Sequence, residues 1–119
     1  MGEIDFVVWE GASKKTYGYW VHNIPAKVPE GTEGNYIYAK VVNGCFMPVC
    51  IGHGDLGKLA DPEKHHQNSH IKRAGATHVH IRENHKEEDR IKEEQDLMAR
   101  YREALNSVAS DAMSEERHS

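Results

Sequence analysis

Long apolar runs are missing from this chain of 119 residues. No stretch approaches the ~20 residues of a membrane span, so no membrane-embedded segment is expected. The opening Met1-Gly2-Glu3-Ile4-Asp5 lacks a basic region followed by an apolar one, so no secretory leader is expected either. A lone Gly2 is weak grounds for a lipid anchor. The expected compartment is cytoplasmic. Cysteine is scarce, and Cys45 and Cys50 are too few to staple a scaffold. Four residues lie between them, which matches neither a redox pair nor a usual zinc knuckle. Both are read as reduced, unbridged, small buried hydrophobes. An excess of positive charge is also lacking, since the net charge is −4.

The charge that is present is unevenly placed. Residues 1–33 carry 3 basic and 5 acidic groups, residues 34–83 carry 6 and 4, and residues 84–119 carry 6 and 10. The middle, which also holds His53, His65, His66, His70, His78 and His80, is the part able to meet phosphates. Its excess is small, so tight nonspecific DNA binding is not expected. The length allows one domain, since domains commonly run ~100–150 residues.

Ile4 to Trp9 is apolar and β-branched and reads as a short strand. Tyr17 to Val21 reads as extended, and residues 23–34 hold two prolines and two glycines and read as a loop. This N-terminal third is expected to cap or flank the core. Residues 36–42, Asn43-Gly44 and residues 45–51 read as a β-hairpin, because Asn-Gly supplies the two positive φ angles of a tight turn. Pro48 cannot donate to a ladder and should meet an edge or a bulge. Residues 55–68 look partly helical, with Pro62 suited to a first turn, and Thr77 to Ile81 alternates as a third strand. Lys86 to Leu105 is rich in helix formers. Ile91, Leu97, Met98, Tyr101, Ala104 and Leu105 recur there at spacings of three and four, predicting one core-facing stripe. The last dozen residues are small and polar.

Glu94 falls inside that stripe, three after Ile91 and three before Leu97. A carboxylate there needs a cation, either a metal or a basic side chain. Spacing alone leaves both open.

Taken in order, Gly34-Asn35-Tyr36, the hairpin, Cys50-Ile51-Gly52, Asp55-Leu56, the segment from Ile71-Lys72-Arg73 to Ile81, Arg90, Glu94 and Asn106 resemble the GIY-YIG nuclease family. The resemblance covers residues 34–106, leaving 1–33 as an N-terminal extension and 107–119 as a polar tail. It implies an α/β (α+β) fold, a small three-stranded antiparallel sheet flanked by helices. It implies a divalent-metal-dependent endonuclease that hydrolyses phosphodiester bonds in DNA, with one ion, usually Mg2+ (or Mn2+), held by Glu94. Tyr36 would help deprotonate the attacking water, and Glu94 would point into a cleft beside it. Gly34 and Gly52 would let backbone approach closely, and Asn106 would close the fold. Cys50 stands where the family has a tyrosine, and Lys58 is the nearest cation to the family's helical arginine. His53, His66, Lys72 and Arg73 are the remaining candidates for holding the phosphate. Two other readings remain open: a catalytically weakened member that binds nucleic acid or a protein, and a structural zinc module built from the histidines and cysteines.

Overall fold

The structure is a computed structural model and describes residues 5–106; Ile4 at the head of the first expected strand and the tail 107–119 lie outside them. Strands β1 (Phe6–Glu10), β2 (Thr16–Asn23), β3 (Glu33–Val42), β4 (Cys45–Asp55), β5 (His78–Glu83) and β6 (Leu105–Asn106) form one sheet ordered β1-β2-β5-β3-β4-β6. Helices α1 (Leu56–Leu59), α2 (Asn68–Arg73) and α3 (Glu87–Arg100) complete an α+β fold. Among the described residues, no helix is long and apolar enough to cross a membrane.

The expected three strands are present as β4, β3 and β5, yet the sheet is not three-stranded. β2 pairs antiparallel with β5, matching Trp20 to Ile81, and β1 pairs with β2, matching Phe6 to Trp20. The reason is an edge problem. In β5, Val79, His80 and Ile81 are buried, and an unpaired edge there would leave buried amides and carbonyls without partners. Residues 6–23 therefore extend the sheet instead of only flanking it. The β3–β4 hairpin turns at Asn43 (φ 52°) and Gly44 (φ 79°), as the positive-φ argument requires. Tyr38 pairs with Cys50 but Ala39 pairs with Pro48, so Val49 is an extra residue and Pro48 sits at a bulge.

Each face of the sheet has its own core. Tyr36, Tyr38, Cys50, Leu56, Ile71 and Val79 pack on the side of α1 and α2. Trp9, Tyr19, Ile37, Ile51 and Leu97 pack on the side of α3. Two expectations for α3 need correction. It stops at Arg100, and the chain turns at Tyr101 so that Leu105 and Asn106 pair parallel with Cys50 and Ile51. Its buried face is also mostly charged: the buried positions are Arg90, Glu93, Glu94 and Leu97, while Ile91 is 36% exposed.

Glu93 and the Arg90 Nη1 group are matched. The Tyr19 hydroxyl donates to Glu93, and Arg82 Nε lies 3.1 Å from the same carboxylate. Asn35 Nδ2 donates to the Arg90 carbonyl at 3.0 Å, and Arg90 itself donates to the Asn84 carbonyl at 2.9 Å. Burial pushes the Glu93 carboxyl up, opposed by the bonds from Tyr19 and the nearby Arg82. Leaving one such buried acceptor without its donor costs about 1–3 kcal/mol. At the helix's far end Asp96 accepts from the Ser13 amide (2.8 Å) and the Tyr17 hydroxyl (2.7 Å), fastening the β1–β2 turn to α3. Cys45 and Cys50 are free thiols, but only Cys50 is buried; Cys45, expected to be buried too, is exposed because it follows directly on the hairpin turn.

Beneath α3, Trp9 Nε1 donates to His80 Nδ1 at 2.9 Å, and His80 Nε2 is buried with no hydrogen-bond partner. Burial, with His78 and His22 nearby, lowers the imidazole from the usual 6.5 to about 4. The unfolded chain therefore binds a proton between pH 6.5 and about 4 that the folded chain refuses, so stability should fall with pH across that window. The loss should be on the order of 3 kcal/mol. His53, also lowered by burial, acts in the same direction. Urea unfolding from pH 7 to pH 4.5 should show the decline, and His80→Asn, which keeps an acceptor for Trp9, should flatten it. An unchanged slope in that variant would remove His80 as the cause.

Candidate active site

Gly34 opens the central strand where only a glycine fits. A Cβ there would lie 2.2 Å from the Arg82 carbonyl oxygen and 2.8 Å from Leu56 Cδ1. This close approach is the role the resemblance implies for Gly34. Two residues on, Tyr36 is fully buried opposite Gly52, itself buried.

The Tyr36 hydroxyl oxygen is 2.6 Å from His65 Nε2. His65 Nδ1 already accepts the Gln67 amide at 3.0 Å. A neutral imidazole accepting at Nδ1 carries its proton at Nε2, so His65 donates to the Tyr36 oxygen. The Tyr36 proton is left to point at Cys50, whose sulfur it hydrogen-bonds. The Cys50 thiol in turn donates to Gln67 Oε1 at 3.4 Å. The four donors close a ring from the Gln67 backbone to its own side chain. The Cys50 thiol is pushed up to about 12, chiefly by burial, with the charge of Glu94 adding to the rise, so it serves the ring as a neutral thiol and not as a nucleophile.

Glu94 approaches from α3. It is 6% exposed, and its Oε1 lies 3.6 Å from His53 Nε2. His53 pairs with Asn35 in register, one position from the Tyr36–Gly52 pair, so strand alternation directs it toward α3 while Tyr36 faces α2. The expected cleft shared by Tyr36 and Glu94 is therefore not formed. Glu94 is buried, and the two come to β4 from opposite faces of the sheet, where Cys50 feels one by a hydrogen bond and the other by charge. Arg90, one turn before Glu94, is near enough to help hold His53 neutral, after burial itself.

The remaining candidates lie outward. Lys58 is exposed on α1, and Lys72 and Arg73 are exposed on α2, where Lys72 pairs with Glu63 at 2.5 Å. His66 is exposed and stacks on His65, with ring centroids 4.6 Å apart. Asn106 pairs with Ile51 through the backbone; its side chain is outside the described residues. His65 is thus the residue that contacts Tyr36, where sequence reasoning favoured its neighbour. Adjacent histidines carry no periodic signal to separate them.

Among the described residues, no three His, Cys, Asp or Glu side chains are grouped to hold a metal, fewer than the four of a structural zinc site. A hydrolytic ion asks for less. Mg2+ keeps several waters and is commonly held by one or two protein groups together with substrate phosphates. Glu94 beside His53, whose Nδ1 is buried without a hydrogen-bond partner, fits that requirement.

A second feature shares the sheet face of Tyr36. Tyr36 pairs with Ile81, Ile81 with Trp20, and Trp20 with Phe6, so the four form one cross-strand row. With strands about 4.8 Å apart, Trp20 stands roughly 10 Å from Tyr36. Trp20 (57% exposed) and Phe6 (46%) meet edge to face at 4.8 Å, beside a groove of about 770 Å³ that Lys27 and Arg82 also line.

No protein-family model, no curated protein and no solved structure matches the chain.

The ring of hydrogen bonds predicts the tautomer of His65. Nitrogen-15 NMR at neutral pH should show its proton on Nε2. A proton on Nδ1 would reverse the bond to Tyr36 and remove the donor from its oxygen.

Proposed function

We propose that the chain is a divalent-metal-dependent endonuclease of the GIY-YIG type, acting on phosphodiester bonds in DNA. The observation that carries this reading is the His65 Nε2–H aimed at the Tyr36 oxygen. A phenol is a base only after losing its own proton, and a hydrogen bond donated to its oxygen stabilises the charged form. The phenolate then takes a proton from the attacking water. Glu94 would hold the ion, with His53 beside it. A bound divalent ion polarises a phosphate and stabilises the leaving oxygen. In this reading the water must reach Tyr36, which is buried here beneath His65, before Tyr36 can act as its base; His65 acts through Tyr36 as a positioning residue. The exposed Lys58, Lys72, Arg73 and His66 would meet the nucleic-acid backbone, where they add affinity without selecting a sequence.

Cleavage of plasmid or branched DNA should require a divalent ion. Tyr36→Phe should lower the rate by about 10²–10³, in line with the loss of a general base. Glu94→Gln should reduce cleavage to a small residual rate with the fold retained by circular dichroism. His65→Gln should lower kcat and shift the alkaline limb of the pH profile, which a merely structural role would not move. Metal-independent cleavage, or full activity in Glu94→Gln, would contradict the reading.

One observation favours a second reading, a module that binds single-stranded nucleic acid without cutting it. The Phe6–Trp20 pair is an exposed aromatic surface with Lys27 and Arg82 at its rim, and bases stack on such surfaces for about 1–3 kcal/mol each. Oligonucleotide binding should quench Trp20 fluorescence, and Trp20→Ala should weaken it about tenfold or more. Binding of this kind with no cleavage of any substrate would move the second reading ahead; no quenching at all would dismiss it.

A further inference from the structure

We propose that His53 is a ligand of the same ion as Glu94, and that its imidazole makes the site prefer Mn2+ and later 3d ions over Mg2+. The inference rests on the reading of Glu94 as the metal-binding carboxylate.

The separation of the two groups is the first ground. His53 Nε2 and Glu94 Oε1 are 3.6 Å apart, longer than a normal hydrogen bond of about 2.7–3.2 Å. Two donor atoms each about 2.1 Å from one ion stand roughly 3.0–3.6 Å apart for bond angles of about 90–120°. The pair is spaced for an ion between its members.

The second ground is the ring's other nitrogen. Nδ1 of His53 is buried without a hydrogen-bond partner, so no second protein group fixes the tautomer: without an ion the carboxylate draws the proton to Nε2, and an ion would displace it to Nδ1. With the proton on Nδ1, the lone pair of Nε2 faces the negative charge of Glu94, an arrangement a cation between them makes favourable. The third ground is rigidity. His53 belongs to β4, and Glu94 follows Glu93, which Tyr19 and Arg82 hold, so the separation is set by two fixed elements.

The selectivity follows from ligand type. Mg2+ demands oxygen ligands and sheds water reluctantly, whereas a neutral imidazole suits 3d ions.

Titration calorimetry of the full chain with MnCl2 and MgCl2, paired with Mn2+ broadening of the His53 ring signals by NMR, tests this. Mn2+ should bind at least about tenfold more tightly than Mg2+, and His53→Ala should erase that preference while changing Mg2+ affinity less than about twofold. The His53 ring signals of the unmutated protein should broaden first on adding Mn2+, a readout that does not depend on any variant folding. Equal affinities for the two ions, an unaffected His53→Ala, or broadening centred elsewhere would overturn the proposal. Selective Mn2+ binding with no cleavage would leave it standing and sink the nuclease reading. Cleavage supported by Mg2+ alone and indifferent to His53 would do the reverse.

Discussion

The direction in which Glu94 points is decided by its neighbour. Glu93 is 2% exposed, and its carboxylate receives the Tyr19 hydroxyl from β2 and Arg82 from β5. A buried carboxylate without such partners costs several kcal/mol, so α3 is not free to roll about its axis. Asn35 adds a second lock by bonding the Arg90 carbonyl. Consecutive helical residues project about 100° apart, so once Glu93 is fixed over β2 and β5, Glu94 is turned toward β4 and His53. The N-terminal strands reach the candidate site through this contact.

The central strand β3 divides the work between the two faces of the sheet. Tyr36 and Tyr38 go to the α1–α2 side and Asn35 and Ile37 to the α3 side. Gly34 lets β3 lie against the Arg82 carbonyl, which holds β5 in register and so brings Arg82 to Glu93. Tyr36 on one face and Glu94 on the other come nearest at β4, where Cys50 senses both. Cysteine suits that position: it is small, and as a neutral thiol it both accepts from Tyr36 and donates to Gln67.

Features governed by local backbone chemistry were legible in the residues. Asn43-Gly44 names its turn because few other pairs take two positive φ angles, and Pro48 at a bulge follows from its missing amide. Strand pairing beyond the hairpin was not legible. Residues 6–9 and 17–21 read as extended, but alternation does not say which strand they join, and the demand for a partner arises only once β5 is seen buried on both edges. On α3, Glu94 and Leu97 face inward as the stripe implied, but periodicity also counted Ile91 inward, whereas the charged Arg90 and Glu93 take that part of the face. The apolar residues at 104 and 105 belong to the segment that returns to β4, so they lengthened the expected helix without belonging to it. Tyr36 on the central strand and Glu94 on the long helix were legible as element placements from their order, but not that they would lie on opposite faces of the sheet. His65 was not, since its role depends on how the irregular segment before α2 folds over β3.

The central claim is that Tyr36 and Glu94 act on one transition state from the two sides of β4. A double-mutant cycle on metal-dependent DNA cleavage, with Tyr36→Phe and Glu94→Gln measured singly and together, tests it most directly. Groups that serve one step fail together, so the double variant should be no slower than the worse single variant. Losses that simply add, or a Glu94→Gln variant that cuts as fast as the unmutated protein, would contradict the account.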